Sequence, residues 1–391
     1  MKRIDLIILA GGKGSRISKI TKRVPKPMIK FNNLPFIKHL LNFYSKYNFE
    51  NIYILAGYKS KIIENYFSKL KRINSVNIKV LKEKNLQGTG GSLNLLKKKK
   101  INDFILINGD TYFELDQRIL NKMKNTKKLG SLFLIRNDNY KSNKKLSNFQ
   151  AQFYGKKLNL MNSGLIFFKK KILKKIPIGT SSLEDDVIPK LIKLKKINII
   201  KFKKKIDFID IGTYKNLKEA KNFFKRKINP AVFLDRDGVI NVLKPYIFRM
   251  RDFKLKSNVI AAFKFLNQRK INIFIVTNQA GIAKNKFSEK QYLYFEKQIK
   301  EFFLKKGVFI SDTKYSPFHK LSKIKKFRKN SILRKPGNGM IKKLNKEWSY
   351  NQKLSLMIGD KYSDKMAAKK SSLKFEYEIN NLKAQVLKYY Q

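Results

Sequence analysis

Ala231-Val232-Phe233-Leu234-Asp235-Arg236-Asp237-Gly238-Val239-Ile240-Asn241 lies just past the middle of a chain of 391 residues. Its four leading apolar residues read as a short buried strand, and the strand runs into two aspartates spaced two apart and then a glycine turn. Such a strand end brings two carboxylates to one phosphate-sized place, which is a layout for phosphoryl chemistry. Taken alone, the fragment reads better as an acidic turn or as a piece of an Asp-x-Asp-Gly calcium loop. The flanking sequence separates these readings.

Downstream, helices are expected where Val259, Phe263 and Leu266 share a face, and again through Tyr292, Phe295, Ile299, Phe302 and Phe303. Between them Ile271 to Val276 reads as a strand ending in Thr277-Asn278-Gln279-Ala280-Gly281. Arg334-Lys335-Pro336 sets two cations before a turn, and Leu356-Met357-Ile358-Gly359-Asp360-Lys361-Tyr362-Ser363-Asp364 carries two more carboxylates to a strand end. Strands alternating with helices indicate a parallel sheet, whose polar strand ends fall on one edge. Four such clusters are expected to converge there.

Upstream, Lys215 to Lys227 reads as a helix stopped by Ile228-Asn229-Pro230, which sets a boundary between domains at 1–227 and 228–391. The first domain opens with a strand, Ile4 to Leu9, followed by Ala10-Gly11-Gly12-Lys13-Gly14-Ser15-Arg16. Glycines after a strand let backbone N–H groups line an anion. In Val24-Pro25-Lys26-Pro27-Met28 two prolines are expected to hold Lys26 in an extended segment. A helix follows with Ile37, Leu40, Leu41 and Tyr44 on one face, then Asn51 to Leu55 as strand, Lys61 to Leu70 as helix and Val76 to Leu81 as strand. Gly88-Thr89-Gly90-Gly91-Ser92 is a second glycine-rich turn. Phe104-Ile105-Leu106-Ile107-Asn108-Gly109-Asp110 and Phe208-Ile209-Asp210 each deliver one aspartate to a strand end. Two such aspartates can share one or two Mg²⁺ ions, and each alone can equally cap a helix.

Composition sets the limits. With 42% hydrophobic and 13% aromatic residues the chain is foldable throughout, and no apolar run reaches the roughly 18 residues that span a bilayer. Met1-Lys2-Arg3-Ile4-Asp5 begins a stretch too short for a secretion signal, so a cytoplasmic protein is expected. There is no cysteine, and His39 and His319 are the two histidines, which leaves no donor set for zinc. Lys+Arg total 89 against 27 Asp+Glu, a formal charge of +62. A nucleic acid or an anionic membrane is one partner class such a charge suits. The lysines are spread in short runs such as Lys97 to Lys100, Lys169 to Lys171 and Lys203 to Lys205, among abundant Asn, Ile and Phe. We read that as compositional bias that favours phosphorylated metabolites as partners, and expect no membrane and no nucleic acid.

In this order Leu9 to Arg16, Pro25-Lys26-Pro27-Met28, Gly88 to Gly91, Asn108-Gly109-Asp110-Thr111, Asn162-Ser163-Gly164, Ser182-Leu183-Glu184-Asp185-Asp186 and Asp210-Ile211-Gly212-Thr213 resemble the sugar-1-phosphate nucleotidyltransferase family. Asn108 to Tyr112 and the Ser-Leu-Glu stretch look most like its D-glycero-D-manno-heptose 1-phosphate guanylyltransferases. The resemblance implies a Rossmann-like fold. It also implies nucleotide binding by Gly11, Gly12, Gly14, Ser15, Arg16, Gly88 and Thr89, with Lys26 and Arg16 on the reacting phosphates. Asn162 and Glu184 are implied on the substrate, and Asp110 and Asp210 on Mg²⁺. Members carry a Glu-Lys pair shortly before the Asn-x-Gly strand, where this chain reads Phe153-Tyr154-Gly155-Lys156-Lys157-Leu158 and has lost the glutamate.

Asp235 to Asn241, Thr277-Asn278-Gln279, Arg334-Lys335-Pro336 and Gly359-Asp360-Lys361-x-Ser363-Asp364 resemble the haloacid dehalogenase superfamily, in its branch of histidinol-phosphate and heptose 1,7-bisphosphate phosphatases. That implies a Rossmannoid domain with Asp235 as nucleophile and Asp237 as acid and base. Thr277, Asn278, Arg334 and Lys335 are implied on phosphate and substrate, and Asp235, Asp237, Asp360 and Asp364 around Mg²⁺. The family's zinc loop lacks its cysteines here, so a metal-free loop is expected, with His319 at its surface.

Together the resemblances imply an α/β chain of two mainly parallel sheets flanked by helices, with Mg²⁺ in both domains. The implied activities are removal of the 7-phosphate from heptose 1,7-bisphosphate and transfer of GMP from GTP to heptose 1-phosphate. Three alternatives are kept: another sugar phosphate with UTP or dTTP, a histidinol-phosphate-type phosphatase, and a non-catalytic scaffold that binds nucleic acid.

Overall fold

In a computed structural model of the chain the described residues are 4–74, 76–114, 117–136, 160–202 and 207–391. The Glu-Lys replacement at Phe153 to Leu158 and the run Lys203 to Lys205 lie outside them. Contacts gather the chain into two units, Met1–Tyr44 with Phe49–Phe223, and Ser45–Asn48 with Phe224–Gln391. Among the described residues no helix is long and apolar enough to cross a membrane.

The first unit is built on an eight-stranded sheet. Its order is Ile197–Phe202, Gly130–Arg136, Leu160–Phe168, Phe104–Asn108, Ile4–Ala10, Phe49–Ala56, Val76–Lys82 and Arg72–Ile73. Ile4–Ala10 pairs in parallel with both Phe49–Ala56 and Phe104–Asn108, which explains the apolar run from Leu6 to Ala10 within it: a central parallel strand is covered on both faces. Leu160–Phe168 runs antiparallel to both its neighbours, and its register with Gly130–Arg136 shifts between Asn162 and Ile166. Ile7, Leu55, Leu106, Leu132 and Ile166 join one core cluster.

The second unit carries a five-stranded sheet, Asp312–Ser316, Asn272–Asn278, Ala231–Leu234, Leu356–Gly359 and Lys374–Tyr377, parallel at every junction. Alternate residues of the central strand go to opposite cores, as the two-residue period of a strand requires. Val232 and Leu234 pack with Phe263, Phe295 and Val386. Ala231 and Phe233 pack with Met340, Leu344 and Ala367. The sheet is therefore a buried middle layer, and its polar strand ends are the one edge where chemistry can be exposed to a substrate.

Candidate active sites

At the carboxyl edge of the five-stranded sheet, Asp235 follows the central strand and is 6% exposed. Lys335 comes from a loop and lies across it, with Nζ 2.9 Å from Asp235 Oδ1 and 2.6 Å from Asp364 Oδ1. Lys335 Nζ also donates to Val276 O at 2.9 Å, which ties the lysine to the end of the adjacent strand. Burial pushes the Asp235 carboxyl up to about 6, against the pull of Lys335 and with the repulsion of Asp364. Burial alone would lower Lys335, and the two carboxylates outweigh it and raise its pKa. Burial likewise raises Asp360.

Ligand atoms of Asp235, Asp360 and Asp364 all lie within 4.8 Å of one another. Three carboxylates face two ammoniums, the buried Lys335 and the more exposed Lys361 with Nζ 3.7 Å from Asp360 Oδ2, so one negative charge stays uncompensated when all are ionised, and Asp360 Oδ1 has no hydrogen-bond partner. All-oxygen donors with that deficit fit a hard divalent cation. Gly238 makes the approach possible: its φ is +94°, and a Cβ there would stand 2.4 Å from Asp360 Oδ2.

Asp237 turns its side chain elsewhere. Arg236 grips it through Nε at 3.1 Å and Nη2 at 3.0 Å on Oδ1, and through Nη2 at 2.9 Å on Oδ2. Asn241 Nδ2 donates to Oδ1 at 3.1 Å and Gln279 Nε2 to Oδ2 at 3.1 Å. Thr277 closes the strand end and is buried. Asn278 uses its side chain on the backbone of Lys335, with Nδ2 to Lys335 O and Lys335 N to Oδ1, both at 3.0 Å. It thereby fixes the loop that presents the lysine. Arg334 is half-buried, which lowers its pKa, and its Nη1 donates to Phe318 O at 3.4 Å. His319 Nδ1 accepts from Leu321 N at 3.2 Å.

In the first unit a cavity of about 280 Å³ opens at the end of the strand Ile4–Ala10, lined by Gly11, Gly12, Lys26, Gly88, Thr89 and Asp110 among others. Gly14, Ser15 and Arg16 continue the loop, and Ser15 and Arg16 are exposed. Lys26 differs from its expected extended setting: Pro25 is extended, and Lys26 itself opens the 3-10 turn Lys26–Met28. That turn folds the side chain inward, where it is buried with Nζ 3.2 Å from Asp110 Oδ2.

Thr111 pairs with Asp210 across two antiparallel strands, and Ile211 N donates to Asp110 O at 3.0 Å, so the backbone sets the two aspartates side by side. Asp210 accepts from Gly212 N at 2.8 Å and Asn216 Nδ2 at 2.7 Å, and Arg16 lies over Gly212. Thr89 donates to Glu184 Oε2 at 2.6 Å and accepts from Leu183 N at 2.8 Å, which joins the second glycine turn to the Ser-Leu-Glu stretch. Asn162 Oδ1 accepts from Gly164 N at 3.0 Å, within its own turn.

Two residues of these sites carried no assignment from the sequence. Gln279 sat inside a recognised motif without a role. Glu83 was one acid between two lysines, with no motif around it, yet it is 7% exposed and lines the cavity. Its Oε2 accepts from Gln87 N at 3.1 Å, and Oε1 lies where a Cβ on Gly11 would come within 2.5 Å. Burial raises its pKa.

Fold and sites together define an enzyme with two phosphoryl-handling domains. Residues 6–227 match the family described as Nucleotidyl transferase and residues 236–380 the one described as Polynucleotide kinase 3 phosphatase. The chain belongs to the nucleotidyl transferase family, and its second domain belongs with the heptose-bisphosphate 7-phosphatases of the haloacid dehalogenase type. D-glycero-alpha-D-manno-heptose-1,7-bisphosphate 7-phosphatase of Photorhabdus laumondii is 37% identical over 143 residues, 37% of this chain and 78% of that protein. The D-glycero-beta-D-manno-heptose-1,7-bisphosphate 7-phosphatase of the same organism is 37% identical over 139 residues, 36% of this chain and 74% of that protein. Among solved structures, HddC from Yersinia pseudotuberculosis complexed with GMP-PN is 27% identical, covers 57% of this chain and 100% of its own, and has a TM-score of 0.46.

Proposed function

We propose that this chain, divided at residues 227 and 228, carries out two consecutive steps of nucleotide-activated heptose synthesis. The second domain removes the 7-phosphate of D-glycero-D-manno-heptose 1,7-bisphosphate, and the first joins the resulting 1-phosphate to GMP from GTP. What carries this reading is the pairing of families in one chain: a bisphosphate phosphatase leaves a sugar 1-phosphate, and a sugar-1-phosphate nucleotidyltransferase takes one.

In the phosphatase an oxygen of Asp235 attacks the 7-phosphorus. The ester P–O bond breaks, and its electron pair leaves on the sugar oxygen, which takes a proton from Asp237. Water then attacks the same phosphorus and gives its proton to Asp237, and the bond to Asp235 breaks to release phosphate. Lys335 and Thr277 hold the phosphate oxygens. Mg²⁺, held by Asp235, Asp360 and Asp364, would supply the positive charge that lets an anionic carboxylate approach an anionic phosphate.

In the transferase an oxygen of the sugar phosphate attacks the α-phosphorus of the nucleotide, and pyrophosphate leaves with the electron pair of the broken P–O bond. Lys26 and Arg16 steady the phosphates and the loop from Gly11 to Arg16 cradles them, so catalysis is positioning and charge neutralisation. Mg²⁺ at Asp110 and Asp210 would add to that neutralisation.

Glu83 supports GTP as the donor. Guanine presents N1–H and N2–H₂ side by side, a match for a carboxylate's two acceptor oxygens. Uracil and thymine offer one N–H between two carbonyl oxygens, which a carboxylate repels. Heptose 1-phosphate supplied with each nucleoside triphosphate in turn tests this: GDP-heptose and pyrophosphate are expected from GTP, and preferred turnover of UTP or dTTP would reject the guanylyl assignment.

A further inference from the structure

We propose that Gln279 is a positioning residue of the phosphatase, setting the proton-transfer carboxylate of Asp237 and the phosphate-binding hydroxyl of Thr277 at a fixed spacing. This rests on the phosphatase reading given above.

Gln279 follows the strand Asn272–Asn278 and is 4% exposed. Its backbone N donates to Ser316 O at 2.8 Å, so the end of the neighbouring strand fixes its main chain. From there Nε2 donates to Thr277 Oγ1 at 2.9 Å and to Asp237 Oδ2 at 3.1 Å. The amide nitrogen is thus the end that faces both oxygens, and its two hydrogens are shared between them.

Each hydrogen bond has a consequence. Because Thr277 Oγ1 accepts from Gln279, its own O–H is left to donate to a phosphate oxygen. Asp237, meanwhile, is held from two sides. Arg236 and Asn241 bind Oδ1, and Arg236 reaches on to Oδ2, which Gln279 binds from the adjacent strand. Arg236 is itself packed against Tyr292 and Phe295, with ring centroids at 5.8 and 5.3 Å, so its side of the grip is rigid. Of these three donors, Gln279 is the one that also binds Thr277. A phosphate ester held by Thr277 and Lys335 then meets Asp237 at a distance that Gln279 determines.

A positioning residue for proton transfer is distinguished from one that only shapes the fold by the leaving group. An alkyl phosphate needs a proton on its departing oxygen, and p-nitrophenyl phosphate, with a weakly basic leaving group, does not. Both esters are assayed with wild-type full-length protein and Mg²⁺, with Gln279→Leu, and with Thr277→Val as the reference for lost phosphate binding. In Gln279→Leu, kcat/KM for glycerol phosphate or the sugar bisphosphate is expected to fall roughly 100-fold, and for p-nitrophenyl phosphate less than about 5-fold. In Thr277→Val both esters should fall by the same factor. Because kcat/KM reports only as far as leaving-group departure, kcat for the aryl ester should still drop in Gln279→Leu, where water activation also needs Asp237.

Equal losses on both esters in Gln279→Leu, or no loss on either, overturn the proposal. If Gln279→Leu does not fold, Gln279→Ala is judged by the same ratio. A wild-type protein that hydrolyses neither ester rejects the phosphatase reading itself and the proposal with it, a result distinct from an unchanged ratio in a working enzyme.

Discussion

Glu83→Gln should move the transferase away from GTP. The carboxylate lies in the cavity with Oε2 already accepting from Gln87 N, and a glutamine of the same length keeps one acceptor while turning an NH₂ toward a guanine donor. The variant loses one charge-assisted hydrogen bond and sets two donors face to face, a cost of about 2–3 kcal/mol, which is roughly 30- to 150-fold in kcat/KM for GTP. For UTP or dTTP the same amide offers both a donor and an acceptor, so their kcat/KM should rise. Pyrophosphate release with heptose 1-phosphate and each nucleotide gives the ratio directly. Burial raises the Glu83 pKa, so in the wild type the GTP preference should weaken as pH falls, earlier than an exposed glutamate would allow, and that acidic limb should vanish in Glu83→Gln. A ratio of GTP to UTP turnover that is the same in variant and wild type refutes base reading by Glu83.

Asp235→Asn should abolish phosphate release from the bisphosphate, by roughly 1000-fold or more, and leave nucleotidyl transfer from supplied heptose 1-phosphate unchanged, as separate assays on one preparation will show. Gly238→Ala puts a Cβ 2.4 Å from Asp360 Oδ2 at a φ of +94°, so phosphatase kcat/KM should drop at least about 100-fold while titration calorimetry shows weakened Mg²⁺ binding. His39 is held neutral, its pKa lowered to about 4 by burial despite the bond between Nε2 and Phe31 O at 2.8 Å. Its folded value lies below the unfolded 6.5, so the stability it contributes is whole above pH 6.5 and is lost as pH falls from 6.5 toward about 4. The total is on the order of 3 kcal/mol, and denaturant unfolding of His39→Gln should show a flatter loss over that window.

The placing of the polar strand ends was legible in the sequence because it is local. Asp235, Thr277, Asp360 and Asp110 each end an apolar run, and a parallel sheet gathers strand ends on one edge whatever the order of its strands. The contacts that give these residues their settings are not local. Gln279 reaches Asp237 across 42 positions, and Asn278 reaches the Lys335 backbone across 57. Glu83 had no pattern to mark it, because its significance comes from the strand Ile4–Ala10 bringing Gly11 against it. Lys26 was found by its proline frame but its turn was misread: Pro25 does extend the chain, and the bend begins one residue later. The antiparallel course of Leu160–Phe168 was also illegible, since its buried apolar half, Leu165 to Phe168, would read the same in a strand of either direction.

The central claim is that both domains act in sequence on one sugar. Purified chain is given D-glycero-D-manno-heptose 1,7-bisphosphate, GTP and Mg²⁺, and the products are resolved by mass spectrometry and ³¹P NMR. Phosphate, pyrophosphate and GDP-heptose in equal amounts are predicted; phosphate released with no nucleotide sugar formed would contradict the account.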